Sequence, residues 1–261
     1  MALLEVQDIV VRFGGVTAVG GVSFQVGAGQ ICGLIGPNGA GKTTLFNVIS
    51  GIYRPNEGQV RFAGQAITGL PRHRMAPLGL GRTFQNLALF RSMTVRENIL
   101  AGAHSTGRTG FFANALRLPA ARAEDAAAAS RARELIGLLS LAPVADTKVA
   151  DLPFGTQKRV EMARALISGP KLLLLDEPAG GLNHGEVDEL ALLFHQVRAS
   201  FDLSILLVEH HMSLVMRVSD KVVALDFGKK IADGTPDEVR TSPEVIRAYL
   251  GDGQSEPAHA A

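Results

Sequence analysis

The densest chemistry in the chain lies in Gly36-Pro37-Asn38-Gly39-Ala40-Gly41-Lys42-Thr43-Thr44. The stretch fits G-x-x-x-x-G-K-[ST], a spacing that holds the phosphates of a nucleotide. Gly36, Gly39 and Gly41 let the backbone turn tightly, with its N–H groups facing inward. Lys42 brings a positive charge to the β- and γ-phosphates, and the Thr43 hydroxyl can ligate Mg2+. A helix starting near Gly41 would aim the positive end of its dipole at the same anion.

Polar residues close two apolar runs further along. Leu172-Leu173-Leu174-Leu175 is too apolar for a surface strand and fits a central parallel one, and Asp176-Glu177 follow it directly. The carboxyl ends of such strands are where α/β sheets bind ligands. Asp176 can hold Mg2+ through the metal's water shell, and Glu177 can polarise an attacking water. Ser204-Ile205-Leu206-Leu207-Val208 runs likewise into Glu209-His210-His211. A histidine there can contact a γ-phosphate or sense pH; a hydrogen bonder at a helix start is the alternative. The pair is a weak zinc site by spacing. Gln85 can ligate a metal or orient a water, or be an ordinary loop amide. Phe13, at the end of a strand, can stack on a base or pack the sheet.

The positioning elements follow from pattern. Gln30–Ile35 reads as a buried strand and Leu45–Ser50 as a helix stopped by Gly51, which is the setting that the phosphate loop requires. Residues 3–12 and 22–26 read as strands around the turn Phe13-Gly14-Gly15, and Val60-Arg61-Phe62 begins another hairpin. Thr94-Val95-Arg96-Glu97 is a capping box, as is Thr235-Pro236-Asp237-Glu238. An Ala-rich helix is expected over about residues 122–139, and a helix over 156–168 with Thr156 as its cap. Helices from about Gly185 to Ala199 and from Pro243 to near Gly251 follow, with strands near 221–226 and 229–232. A helical lobe thus occupies about residues 87–165. The apolar residues Leu87, Leu89, Phe90 and Met93 read either as core under that lobe or as an exposed partner surface.

Composition excludes several classes. The chain has 261 residues, 46% hydrophobic and 20% charged, enough for a large core. Its 26 basic and 25 acidic residues leave a net charge of +1, which gives no support to nucleic-acid binding by bulk charge. The single cysteine, Cys32, falls in a buried strand and reads as a small core residue. No apolar run is long enough to span a bilayer, and no signal peptide opens the sequence, so a cytoplasmic protein is expected.

With these residues in place, the chain resembles the ATP-binding subunits of ABC transporters over essentially its whole length. Within them it is most similar to the ATPases of branched-chain amino acid importers. The closer likeness rests on Arg82-Thr83-Phe84-Gln85-Asn86, Glu209-His210-His211-Met212, Arg240-Thr241-Ser242-Pro243 and Ala248-Tyr249-Leu250-Gly251. The resemblance implies an α/β P-loop NTPase core with an antiparallel β subdomain, over residues 1–86 and 166–251. It implies an inserted α-helical subdomain with the signature loop over 87–165, and a flexible tail over 252–261. Phe13 would stack on adenine, and Gly36, Pro37, Asn38, Gly39, Ala40, Gly41, Lys42, Thr43 and Thr44 would hold the phosphates of ATP. Thr43, Gln85 and Asp176 would attend Mg2+. Glu177 would be the general base, and His210 the γ-phosphate contact. Gly155 and Thr156, in the signature loop, would complete the site of a second ATPase subunit. Transmembrane permease subunits and, indirectly, a solute-binding protein would be the partners at the cytoplasmic face of the inner membrane.

Two departures bear on activity. Where that family usually reads Leu-Ser-Gly-Gly-Gln, this chain reads Leu152-Pro153-Phe154-Gly155-Thr156, followed by Gln157. Pro153 lacks both the hydroxyl that reaches the partner's γ-phosphate and an N–H. A lost hydrogen bond to a charged group costs roughly 1.5–3 kcal/mol of closed-state stabilisation. Ala179-Gly180-Gly181-Leu182-Asn183 ends in Asn183 where an aspartate is usual, keeping a hydrogen-bonding side chain without the charge. Both changes fit a heterodimer whose other half carries fuller motifs.

Overall fold

The computed structural model describes residues 2–83, 87–104 and 118–250. Expectations that fall on 84–86, 105–117 and 251–261, among them the placing of Gln85 and the tail, lie outside the described residues.

Period-two burial builds the first sheet. In β1 (Ala2–Phe13) Leu4, Val6, Ile9 and Val11 point into the core. The step from Val6 to Ile9 is one residue too long for strict alternation. The register shifts there, with Asp8 at φ 48° and its N–H donating to the Ser23 hydroxyl at 2.8 Å. Antiparallel neighbours flank β1: β2 (Val16–Gly27) on one side and β4 (Glu57–Phe62) on the other, with the two-residue β5 (Gln65–Ala66) beyond. β2 starts well before the expected residue 22, because the Gly14-Gly15 turn returns the chain at once into pairing with β1.

The second sheet has the order β10-β9-β3-β8-β7-β6. Its parallel strands are β3 (Ile31–Ile35), β6 (Leu80–Arg82), β7 (Leu172–Asp176), β8 (Ser204–Val208) and β9 (Lys221–Asp226). β10 (Lys229–Gly234) lies antiparallel at the edge. β3, β7 and β8 are buried at every position, as their unbroken apolar runs require of central strands. Alternation sorts their side chains between two cores. Cys32, Leu34, Leu174, Leu206 and Val208 pack with the antiparallel sheet and with α1 (Lys42–Ile49). Ile35, Leu173, Leu175, Ile205 and Leu207 face the remaining helices.

Those helices carry local stop and start chemistry. After the one-turn α2 (Met75–Leu78) comes α3 (Val95–Ala103), opened by the capping box of Thr94 with Glu97. The Ala-rich α4 (Pro119–Leu138) starts a few residues before the expected 122, with Pro119 at its first turn. α5 (Phe154–Leu166) corrects the sequence reading: Pro153, not Thr156, is its N-cap. Pro153 is extended at ψ 150°, and its carbonyl accepts the Gln157 N–H at 3.0 Å, so the helix begins before Thr156 is reached. α6 (His184–Phe201) opens on a capping box between Asn183 and Glu186. α7 (Met212–Val218), α8 (Pro236–Thr241) and α9 (Pro243–Leu250) complete the chain, α8 behind the expected Thr235 capping box. Among the described residues no helix is long and apolar enough to cross a membrane.

Cys32 reports directly on this core. It is fully buried, and burial, the largest influence on it, pushes its thiol up to about 12. At pH 8 about one thiol in ten thousand is then ionised, whereas a free cysteine sits near 8.5. A thiolate-selective reagent at pH 8 is expected to leave the folded protein unlabelled and to label it stoichiometrically across the urea unfolding transition. Rapid labelling without denaturant would show that the two cores do not close over β3.

Candidate functional site

The phosphate-binding loop joins β3 to α1, the setting that its motif requires. Gly36 (φ 151°) and Gly41 (φ 94°) are there because neighbouring backbone comes too close for a side chain. A Cβ on Gly36 would lie 2.2 Å from the Leu225 carbonyl oxygen, and one on Gly41 2.5 Å from that of Ala18. Gly41 caps α1 in the left-handed conformation without a side-chain cap. The first-turn N–H groups of α1 therefore have no acceptor within the helix and face outward as an anion-ready end. The turn between β9 and β10 braces the loop: Gly228 N–H donates to the Ala40 carbonyl at 3.1 Å, and the Gly228 carbonyl accepts Gly20 N–H at 2.8 Å. Asn38, Gly39 and Thr43 are exposed, while Pro37 and Thr44 are half-buried.

Lys42 folds back over the loop. Its Nζ donates to the carbonyls of Gly36 at 2.6 Å and Pro37 at 2.9 Å. Only 7% of it is exposed, and burial lowers its pKa while the Glu177 carboxylate pulls it back upward. The site therefore holds a poorly solvated cation beside first-turn N–H groups that have no acceptor within their helix, a pre-organised counter-charge for phosphate. Phe13 ends β1 with about half its ring open, edge-on to Tyr53 at 5.5 Å between centroids. From the other end of the chain, Tyr249 on α9 brings its phenol to the Gly36 N–H, which offsets part of the upward push of burial on its pKa.

The acidic residues gather at the carboxyl ends of β7 and β8. Asp176 is almost fully buried, and its Oδ2 lies 3.2 Å from Nη2 of Arg82, the last residue of β6. Burial raises its carboxyl above the usual range, and the Arg82 guanidinium opposes that rise. Glu177 is half-buried and held at φ 46°, with its N–H donating to the Val208 carbonyl at 2.9 Å. Left-handed backbone at a residue with a Cβ costs roughly 1–2 kcal/mol, and such strain clusters at functional sites. Glu209 is wholly buried. Its Oε1 accepts the Ala179 N–H at 2.7 Å, and its Oε2 accepts those of His210 at 3.0 Å and His211 at 3.3 Å. That carboxylate ties the turn after Glu177 to the end of β8 and leaves half of the His210 ring exposed. Potential metal donors of Glu209, His210 and His211 lie within 4.8 Å of one another, but both Glu209 oxygens are already engaged by backbone N–H groups.

Gly155 and Thr156 sit in the first turn of α5, away from this cluster in sequence and facing the segment after Glu177. A Cβ on Gly155 would come 2.7 Å from Glu186 Oε1, and the exposed Phe154 ring approaches Gly181. No side chain caps α5, so its first N–H groups are open. Asn183 spends its amide oxygen within the chain, accepting the Glu186 N–H at 3.0 Å. Of the apolar residues 87–93, Leu89 packs on the main core while Phe90 and Met93 are exposed. Phe90 borders a cleft of about 850 Å³ that Arg72, His73, Arg82, His104 and Arg164 also line.

The structure thus brings Lys42, Asp176, Glu177 and His210 to the carboxyl ends of the central parallel strands, with Thr43 beside Lys42 at the start of α1. Gln85 lies outside the described residues. Arg82 and Glu209 have no role legible in the sequence pattern, and Tyr53 and Glu186 fall outside its motifs. Only a buried acid directly after a core strand hinted at Glu209.

A phosphate loop opening a helix, with acids at the ends of adjacent parallel strands and an antiparallel sheet alongside, defines a P-loop ATP-binding cassette. Residues 19–180 match the ABC transporter family, and residues 229–254 match the C-terminal segment of the branched-chain amino acid ATP-binding cassette transporter family. The chain belongs to the ABC transporter family, as an ATP-binding cassette ATPase. It is 43% identical over 250 residues to the high-affinity branched-chain amino acid transport ATP-binding protein BraF of Pseudomonas aeruginosa, covering 96% of this chain and 98% of that one. It is 34% identical, over 96% of its length and 97% of the relative's, to the lipopolysaccharide export system ATP-binding protein LptB of Acidithiobacillus ferridurans. A crystal structure of a nucleotide-free ATP-binding cassette from an ABC transporter superposes with a TM-score of 0.83 at 31% identity, covering 97% of this chain and 100% of that one. The ADP conformation of an ATP-binding cassette aligns with a TM-score of 0.82, also at 31% identity and with the same coverage.

Glu209 gives the site a testable dependence. Glu209→Ala strands the buried N–H of Ala179 and the part-buried N–H groups of His210 and His211, and an unsatisfied buried group costs about 1–3 kcal/mol. A loss of stability of about 2–5 kcal/mol is expected from urea unfolding, with faster amide exchange at Ala179, His210 and His211. An unchanged midpoint with unchanged exchange would remove Glu209 from the scaffold of the site.

Proposed function

We propose that this chain hydrolyses ATP as one of two paired cassettes, driving import of branched-chain amino acids or a related small polar solute. The observation that carries the reading is the convergence of Lys42, Asp176 and Glu177 at the carboxyl ends of the central strands, in a chain 43% identical to a branched-chain amino acid transport ATP-binding protein. Adenine stacks on Phe13. The loop from Gly36 to Thr44 takes the phosphates, and Lys42 exchanges its two carbonyl acceptors for phosphate oxygens. Thr43 and Asp176 offer oxygen donors only, which suits a hard cation, and Gln85 is assigned beside them. Mg2+ held there would neutralise charge on the β- and γ-phosphates. Glu177 accepts a proton from the attacking water, and His210 donates to the γ-phosphate. Gly155 and Thr156 present the open end of α5 to the ATP of the second subunit.

In this reading the core comprises residues 1–86 and 166–251, and 87–165 form a lobe that moves against it, with 252–261 as a tail. Transmembrane permease subunits dock at the cleft bordered by Phe90, at the cytoplasmic face of the membrane, and a solute-binding protein acts through them. No nucleic acid takes part. A lipopolysaccharide-transport role is the second reading, supported by the lower, 34% identity to LptB.

Reconstitution with the permease and partner ATPase in proteoliposomes tests the proposal. Leucine uptake is expected to require ATP, and Glu177→Gln is expected to lower turnover by at least about 100-fold, the scale of a lost general base, with ATP binding retained. Pro153→Ser is expected to raise turnover of the assembled complex by restoring a hydroxyl to the γ-phosphate. Co-purification of a lipid-transfer assembly without solute uptake would move the assignment to the second reading. An unchanged or lower rate for Pro153→Ser would refute the account of the signature loop.

A further inference from the structure

We infer that Arg82 is a positioning residue for Asp176, fixing that carboxylate for the metal-bound nucleotide by tying it to the far end of α1. The inference rests on the proposed role of Asp176 and goes beyond it, since nothing in the motif pattern assigns Arg82. Three contacts carry it. Nη2 of Arg82 meets Asp176 Oδ2 at 3.2 Å. Nη1 donates to the Ser50 hydroxyl, which itself donates to the Phe46 carbonyl at 2.9 Å. The guanidinium also lies over the Phe46 ring, 4.7 Å from its centroid. Ser50 is the C-cap of the helix whose first residue is Lys42. One planar cation therefore joins the end of β7 to the C-terminus of the helix whose N-terminus is proposed to hold the phosphates.

The geometry suits arginine specifically. Arg82 pairs in register with Leu174 on the neighbouring strand, which brings its side chain over the end of β7. A forked guanidinium can serve a hydroxyl and a carboxylate at once while stacking on an aromatic ring; an ammonium is a point charge and cannot do all three. Asp176 and Ser50 are both nearly inaccessible to solvent, so water is a poor substitute for the lost partner. Residues that orient a metal-holding carboxylate typically change metal affinity by about 10–100-fold when removed.

The test uses the full chain and a fluorescent ATP analogue, titrated once in excess EDTA and once against MgCl2. Arg82→Met is expected to leave binding in EDTA within about twofold, because the phosphate loop and Lys42 are untouched, and to raise the MgCl2 concentration for half-maximal binding about 10–100-fold. Arg82→Lys should recover part of that loss, and Ser50→Ala, which keeps the charge and removes one anchor, should shift it in the same direction by a smaller factor. Thermal melts identify a variant that fails to fold, in which case Arg82→Lys and Ser50→Ala decide. Equal loss of binding with and without magnesium, or an unchanged magnesium dependence in the folded variants, overturns the inference. A wild-type chain that binds no nucleotide under either condition would instead overturn the proposed function.

Discussion

A buried lysine, Lys42, whose hydrogen-bond acceptors among the described residues are carbonyls of its own loop, is the constraint around which the molecule is arranged. An ammonium in that position is held below its ordinary pKa by burial. It is tolerable because Gly36 and Pro37 turn their carbonyls toward it and the Glu177 carboxylate stands near. An anion entering the loop finds this charge already desolvated and the N–H groups of α1 already aimed, so little reorganisation is left to do. Further costly features follow in the chain: the buried Asp176, offset by Arg82, the left-handed Glu177, and the start of α5, which no side chain caps. Strain and incomplete solvation concentrated in this way persist only where the surrounding structure over-determines them.

That over-determination comes from the two cores. β3, β7 and β8 are sealed on both faces, so their carboxyl ends cannot drift relative to one another, and the residues following them inherit fixed positions. The same period-two sorting that puts Leu174 in one core and Leu175 in the other fixes where Asp176 and Glu177 emerge. Glu209 then converts the rigidity of β8 into rigidity of two loops. By accepting the N–H of Ala179 it sets the turn after Glu177, and by accepting those of His210 and His211 it sets the start of α7. One buried carboxylate therefore couples segments that carry different proposed roles.

Local grammar made the strand–loop–helix around Lys42 legible in the sequence, because glycine, lysine and threonine are each demanded by the backbone or the anion within nine consecutive residues. The capping boxes at Thr94 and Thr235 were legible for the same reason: donor and acceptor lie three residues apart. The links from Arg82 to Asp176 and from Glu209 to Ala179 were not, since they span 94 and 30 residues and no periodicity joins them. The misplaced start of α5 has another cause. Thr156 has the chemistry of a cap, but Pro153 has the backbone of one: extended, preceding the first helical residue and offering its carbonyl to Gln157. Phe90 and Met93 could not be placed by hydrophobicity alone, as Leu89 beside them is packed while they are exposed.

The position of Pro153 also separates what the altered signature loop loses from what it keeps. A proline at the N-cap sacrifices an N–H that lies outside the helix, while the N–H groups of Phe154, Gly155 and Thr156 remain directed along the axis. The dipole and the first-turn donors, which act on an anion through the backbone, do not depend on the side chain at residue 153. The hydroxyl alone is missing. Gly155 meanwhile lies against Glu186, whose other oxygen is committed to the Asn183 N–H at 2.9 Å, so the first turn of α5 and the capping box of α6 are set against each other. A loop that has kept its backbone donors and its bracing, and lost one side-chain contact, is compatible with the role proposed for it, completing a second subunit's site with reduced strength.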